Sequence, residues 1–314
     1  MPKKEIKPAL TGGQILRKTW KIISIGISTL LFLIFAMVFF SVIGSFIPSE
    51  LATGNIAVIP IEGIIQTNDD SFTPGTKSET IVELIEKATE NEDIKAILLE
   101  IDSPGGTPVA TDEIATALKE TNKTTVAVIR ESGASGAYWI ATAADRIFAN
   151  RMSVTGSIGV QASRLEFTGL IADYNITYRR LTAGRLKDAG SRFKEMTPEE
   201  QQLFQNMLDK LHNEFIKAVA ENRHLSEDYV RPLATGFVYL GSEAKELKLI
   251  DELGSKKDAL KYLENTLNIT AEPVEYSGQK TIFEELSGLT AQNFYQIGRG
   301  FGSVFSTETK VTLT

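Results

Sequence analysis

Lys95-Ala-Ile-Leu-Leu-Glu-Ile-Asp-Ser-Pro-Gly-Gly106 is the stretch that decides the fold. From Lys95 to Ile101 it is nearly all apolar, the pattern of a strand covered on both faces. Asp102-Ser-Pro-Gly-Gly106 then breaks the run, and a helical pattern follows near Thr111–Lys119. A buried strand, a glycine turn and a helix form one unit of an α/β domain. Working outward, the same alternation recurs. Strands are expected at Ile56–Ile61, Thr125–Ile129, Arg146–Ala149 and Tyr178–Leu181. A helix begins at Thr80, with Thr80-x-x-Glu83 as a capping box and Ile81, Leu84, Ile85 and Ala88 on one face. A small-residue helix covers about 136–144. Thr197-Pro-Glu-Glu200 starts a long helix to about Asn222, with Leu203, Met207, Leu211, Phe215 and Ala218 facing inward. The pattern predicts an α/β domain with a largely parallel sheet over residues 54–277. Residues 278–314, rich in Gly and Thr and weakly periodic, are expected to be a mobile tail.

The N-terminal region has a different character. No charged residue occurs from Ile22 to Ile47, and 26 helical residues reach roughly 39 Å, enough to cross a hydrocarbon core. A buried core helix seldom runs so long without charge. A cleavable signal peptide has a shorter apolar region and a small-x-small site, and Ser45-Phe-Ile-Pro48 offers no clear one. The expectation is an uncleaved transmembrane anchor at 22–47. Before it, Lys3, Lys4, Lys7, Arg17, Lys18 and Lys21 stand against Glu5, so residues 1–21 carry +5 and form a cytoplasmic basic segment. Residues 54–277 then lie outside the cytoplasm, at the cell membrane.

The chain as a whole has 33 basic and 40 acidic residues, net −7, which leaves −12 for everything after residue 21. An acidic body of this size argues against a nucleic-acid partner. There is no cysteine, which excludes disulfides, thiol nucleophiles and thiolate metal sites, and the two histidines make a multi-histidine zinc site improbable. No metal or cofactor is expected.

Three segments fall where parallel sheets gather their chemistry, at the carboxyl ends of strands. Asp102-Ser-Pro-Gly-Gly106 offers bare backbone N–H groups beside a helix start, as an oxyanion hole requires, though an ordinary strand-to-helix turn looks the same. In Glu131-Ser-Gly-Ala-Ser-Gly-Ala-Tyr-Trp139, Ser135 sits among residues with almost no side chain, which keeps a hydroxyl accessible; close packing of a helix on the sheet explains the composition equally well. A serine needs a base. His212 lies in the long amphipathic helix and His224 near its end, and both are poor candidates. A lysine serves if deprotonated. Moving it from about 10.4 in water to near 7 takes about 4–5 kcal/mol, which burial among apolar groups can supply. Thr182-Ala-Gly-Arg-Leu-Lys-Asp-Ala-Gly-Ser191 presents Lys187 between Leu186 and Ala189.

Together these pieces resemble the signal peptide peptidase A family, also called protease IV, in its short single-repeat form. The resemblance rests on Asp102-Ser-Pro-Gly-Gly106, Ala134-Ser-Gly136 with Tyr138-Trp139, Thr155-Gly-Ser-Ile-Gly-Val160 and Lys187-Asp-x-Gly-Ser191 before Met196-Thr197. Arg231, Gly236, Gly241, Ala244 and Asp251-Glu-Leu-Gly254 fit the family's C-terminal signature. The match spans the anchor and nearly all of residues 54–265. It implies a Clp-protease/crotonase-like fold and a Ser–Lys dyad, with Ser135 as nucleophile, Lys187 as general base and Gly106 as oxyanion donor. The N–H of Gly136 is a second candidate donor on geometry only. Ala137 stands where many relatives have Gly, and Arg192 where many have Pro; both bear on the cleft rather than the dyad. The resemblance further implies a membrane-anchored serine endopeptidase acting on hydrophobic peptides such as signal peptide remnants. It also implies a homo-oligomer with active sites at subunit boundaries, since this chain has one repeat. Two other classes remain: a non-catalytic membrane scaffold on the same fold, and a crotonase-type acyl-CoA enzyme. The second would leave Lys187 without a role.

Overall fold

The structure is a computed structural model and describes residues 12–45, 54–68 and 75–277. The expected tail at 278–314 and the start of the basic segment lie outside the described residues. The chain divides into two units. One contains helix α1 (Gly12–Ser45), 34 residues long, so the helix begins ten residues before the apolar run. Its described side chains from Ile23 to Phe35 are exposed, and Phe35 stacks on Phe39. Among the described residues no helix is long and apolar enough to cross a membrane.

The second unit, Ala52–Gly278, is the α/β body. Its first half runs β1 (Ile56–Gln66), β2 (Gly75–Lys77), α2 (Ser78–Glu90), β3 (Ala96–Gly106), α3 (Pro108–Glu120), β4 (Thr124–Ala134), α4 (Gly136–Thr142), β5 (Arg146–Ala149) and β6 (Val154–Gly156). Then follow α5 (Thr168–Asp173), α6 (Pro198–Asn222), α7 (Glu227–Val230), β7 (Val238–Leu240), α8 (Gly241–Glu246), β8 (Glu252–Leu253), α9 (Lys256–Leu267) and β9 (Pro273–Glu275). The strand order is β2-β1-β3-β4-β5-β8, with β9 on β1 and β6 on β4. Among the described residues every pairing is parallel except β6 with β7.

The apolar run in β3 has a simple cause. Side chains alternate across a strand, and here both faces are covered. Ile97, Leu99 and Ile101 enter a core under α2, α3, α4 and the end of α6, with Ala57, Ile59, Ala127 and Ile129 beside them. Ala96 and Leu98 enter the opposite core with Ile56, Val58, Val126 and Val128, closed by Ala259 and Leu263 of α9. Each buried Leu or Ile contributes roughly 1.5–3 kcal/mol; the one charged residue within the run, Glu100, is half-buried and paired with Arg130 and Lys256.

Some expectations are corrected. Helix α2 starts two residues before Thr80, at Ser78, and its N-cap Lys77 has no capping box; Ser78 instead donates its hydroxyl hydrogen to Glu113 Oε2 of α3 (2.5 Å). Its predicted inward residues Ile81, Leu84, Ile85 and Ala88 are buried. Tyr178–Leu181 is not a strand: residues 175–197 are irregular, and Tyr178 packs its ring on Phe193. The capping box at Thr197 and Glu200 is formed. Along α6, however, Leu203 and Met207 are each 47% exposed and Leu211 is half-buried. Phe215, Ile216, Val219 and Ala220 carry the packing. The apolar stripe is real, but only its second half is buried; the first half of the helix packs through Glu200 and Phe204 instead.

Candidate active site

The carboxyl ends of β1, β3 and β4 converge, and three local features shape them. Strand β1 bulges between Glu62 and Ile64, where Gly63 takes φ 68°. Ser103, fully buried, donates from Oγ to the Gly63 carbonyl (2.6 Å) and accepts from the Gly105 N–H (3.1 Å). Its hydroxyl thereby fixes the glycine turn to the bulge. Asp102 Oδ1 accepts from the Ser132 N–H (3.1 Å), joining β3 to β4.

Gly105 takes φ 108°, and a Cβ there would lie 2.8 Å from Ser135 Cβ and from Gly136 N. A Cβ on Gly136 would lie 2.3 Å from Thr111 Oγ1 and 3.3 Å from Gly106 N. The two glycine segments therefore touch backbone to backbone. The direction of the Gly106 N–H follows from the ladder. Thr107 N–H donates to the Ile65 carbonyl (2.9 Å). Successive N–H groups of an extended strand point to opposite sides, so Gly106 N–H points away from β1, toward the Ser135–Gly136 turn.

Ser135 itself has φ 54° and ψ −126°. An L-residue with a side chain seldom adopts such a conformation, at a cost of order 1–3 kcal/mol, and it persists only where the surroundings hold it. Here they do. Ser135 N–H donates to the Gly156 carbonyl of β6 (2.8 Å), and the Ser135 carbonyl accepts from Trp139 N–H in α4 (3.0 Å). Thr155 Oγ1 donates to the Gly133 carbonyl two residues earlier in β4 (2.8 Å). The result is a sharp strand-to-helix elbow with a half-buried hydroxyl at its tip. Among the described residues Ser135 Oγ makes no hydrogen bond. Tyr138, three residues on, is fully buried and donates its hydroxyl hydrogen to the Leu249 carbonyl (2.8 Å), and burial pushes its phenol well above the ordinary range.

The structure thus brings Ser135, Gly136 and Gly106 together. Lys187 forms no hydrogen bond with them among the described residues. It sits in the turn 184–191, its N–H donating to the Gly184 carbonyl (3.2 Å). Its side chain is exposed and makes no hydrogen bond or ion pair among the described residues. The expected burial between Leu186 and Ala189 is therefore not met within one chain: those two residues are half-buried, while the Lys187 side chain between them is exposed. Of the histidines, His212 is half-buried with Nε2 unpartnered, and His224 is exposed; neither bonds Ser135. Among the described residues no group of His, Asp or Glu could hold a metal ion.

Two features escaped the sequence reading. Ser103 looked like part of a loop; a serine between a buried strand and a glycine pair was the available signal. The torsion of Ser135 left none beyond its small neighbours.

Residues 117–270 match the model of peptidase family S49. A protein of Methanocaldococcus jannaschii, provisionally named a protease, is 37% identical over 240 residues, 75% of this chain and 76% of its own length. One from Enterococcus faecium, provisionally named a signal peptide peptidase, is 33% identical over 203 residues, 63% of this chain and 59% of its own. A ClpP1 variant from Listeria monocytogenes superposes with a TM-score of 0.45 at 16% identity, covering 64% of this chain and 92% of that one.

Proposed function

Because this chain belongs to peptidase family S49 and is a serine peptidase, we propose that it works through a Ser135–Lys187 dyad in a membrane-anchored endopeptidase for hydrophobic peptides, including signal peptide remnants. Lys187 Nζ takes the proton from Ser135 Oγ as the oxygen attacks the scissile carbonyl. The negative oxygen of the tetrahedral intermediate is held by Gly106 N–H and Gly136 N–H. Lys187 returns the proton to the leaving amine, and an acyl-serine remains. Water, losing a proton to the same lysine, attacks the ester, and the lysine gives that proton to Ser135 Oγ as the acid product leaves.

The observation that carries this reading is the elbow: Ser135 at φ 54° with the Gly105–Gly106 backbone pressed against its peptide. That arrangement exposes one oxygen beside two backbone donors.

A shared site supports the homo-oligomer. Lys187 is exposed and unpaired among the described residues, and its segment also exposes Leu165, Leu170, Tyr174, Ile176 and Leu181. With the open stripe at Leu203 and Met207, this apolar surface fits a second copy, whose Ser135 would meet this Lys187 and bury it. The anchor at 22–47 rests on the absence of charge there, with the N-terminus cytoplasmic by the positive-inside rule.

The test is covalent labelling of the full chain by a fluorophosphonate. Mass analysis is expected to find the adduct on Ser135, with labelling abolished in Ser135→Ala and strongly slowed in Lys187→Ala and Lys187→Arg. Arginine stays protonated and cannot accept the proton. An adduct on another serine, or full-rate labelling of Lys187→Arg, refutes the dyad. A folded, oligomeric protein that never labels is the outcome a scaffold would give.

A further inference from the structure

Lys187 is followed directly by a carboxylate, which poses a chemical problem for a base. An anion within about 4–6 Å favours the ammonium form of a lysine, and adjacent side chains can reach that distance. The side chain of Asp188, however, is only 8% exposed and is engaged elsewhere. Its Oδ1 lies 3.5 Å from Lys194 Nζ, and the Arg180 guanidinium pairs with Oδ2 as an ion pair without hydrogen-bond alignment. Lys194 also donates to Glu200 Oε1 (2.5 Å), and the side chain of Glu200 is 3% exposed. Glu200 Oε2 in turn accepts from Thr197 N–H (3.0 Å) in the capping box of α6. A second contact runs alongside: Gly190, at φ 77°, lies so close to the Phe204 ring that a Cβ would meet it at 3.0 Å. The turn carrying Lys187 is thus held to α6 through Asp188 and Gly190.

We propose that Arg180, Asp188, Lys194 and Glu200 are positioning residues for Lys187: they seat its turn on α6 and occupy the Asp188 carboxylate, so that it does not pair with the lysine. The inference rests on the reading of Lys187 as the base. The four groups balance, two cations against two anions, so the cluster adds no net charge beside the reacting pair. The remaining charges near the turn are Arg185 on the turn itself, which pairs with Glu199 of α6, and Arg164, which donates to the Ser191 carbonyl (2.9 Å) and pairs with Glu166. Arg192 follows in sequence. Lys187, like Arg192, has no ion-pair partner among the described residues.

The experiment is the pH dependence of fluorophosphonate labelling at Ser135 in the full chain. In Arg180→Met/Lys194→Met the carboxylate is freed, and the rising limb of the profile should move up by roughly one pH unit. At a fixed pH on that limb, labelling is then about tenfold slower. Adding Asp188→Asn should move the limb back, and Lys194→Arg should keep it in place. A cluster that merely braced the fold would lower labelling equally at every pH, and a limb that stays put in the double variant refutes the proposal. If that variant does not fold, Arg180→Met alone, at a half-exposed residue, should show a smaller shift of the same sign, and an unmoved limb there refutes it equally. Full labelling of Lys187→Ala would instead mark failure of the dyad reading, whatever the cluster does.

Discussion

Ser135→Gly and Ser135→Ala remove the same hydroxyl but should not be equally stable. At φ 54° and ψ −126° alanine keeps the strain of a Cβ-bearing residue, of order 1–3 kcal/mol. Glycine meets the mirror image of an ordinary extended conformation and is unstrained there. Against this, glycine gains about 0.5–1 kcal/mol of freedom in the unfolded chain. The balance favours Ser135→Gly by about 1 kcal/mol, and for a body of this size that is about 2–4 °C in midpoint. The comparison cancels the lost hydroxyl, since both variants lack it. Thermal unfolding of the two full-length proteins, in one detergent and at one concentration, reads the difference directly. Neither should label. Ser135→Gly no more stable than Ser135→Ala would mean that the elbow stores no strain, and the argument for a held nucleophile would lose its physical basis.

Gly136→Ala should destabilise the body by roughly 1–3 kcal/mol through the contact with Thr111 Oγ1, and adding Thr111→Ala should recover at least half in urea unfolding. Asp251 accepts from both Nη atoms of Arg223 and from Ile147 N–H; burial raises its carboxyl, but Arg223 outweighs this and the net shift is downward. Asp251→Asn should therefore cost about 3 kcal/mol at pH 7. The wild-type advantage is complete above about pH 4 and shrinks as pH falls through the lowered value, so denaturation curves that differ equally at pH 7 and pH 2 would contradict it. Ser135→Ala and Lys187→Ala, each inactive alone, should regain peptide hydrolysis when co-expressed; mixed oligomers that stay inactive would exclude a site shared between copies.

Strands were legible wherever both faces were buried, because β1, β3 and β4 then read as nearly continuous apolar runs. Their extensions were not. Ser103 to Gly106 and Ser132 to Ala134 have the composition of turns, yet they continue the ladder, since hydrogen bonds to neighbouring strands ask nothing of the side chain. The stripe at Leu203 and Met207 showed the right period, but periodicity identifies an apolar face and not what covers it. Ser135, Gly106 and Gly136 could be picked out as small residues at strand ends. That Lys187 stands on the surface of its own chain is a matter of an irregular segment, for which composition has no period to read.

The pairing of β9 with β1 sets an order on how the molecule can be made. Ile56 to Val58 match Pro273 to Glu275, so the first strand of the body is flanked by nearly its last. A chain emerging from its N-terminus can lay β3 beside β1 early, but the other side of Ile56–Val58 stays an open edge until the final helix and strand arrive. Open edges recruit foreign strands, and joining segments this distant in sequence is slow. Maturation therefore has a vulnerable interval that ends only with residue 275, and truncation just short of β9 should leave a sticky rather than merely weakened product.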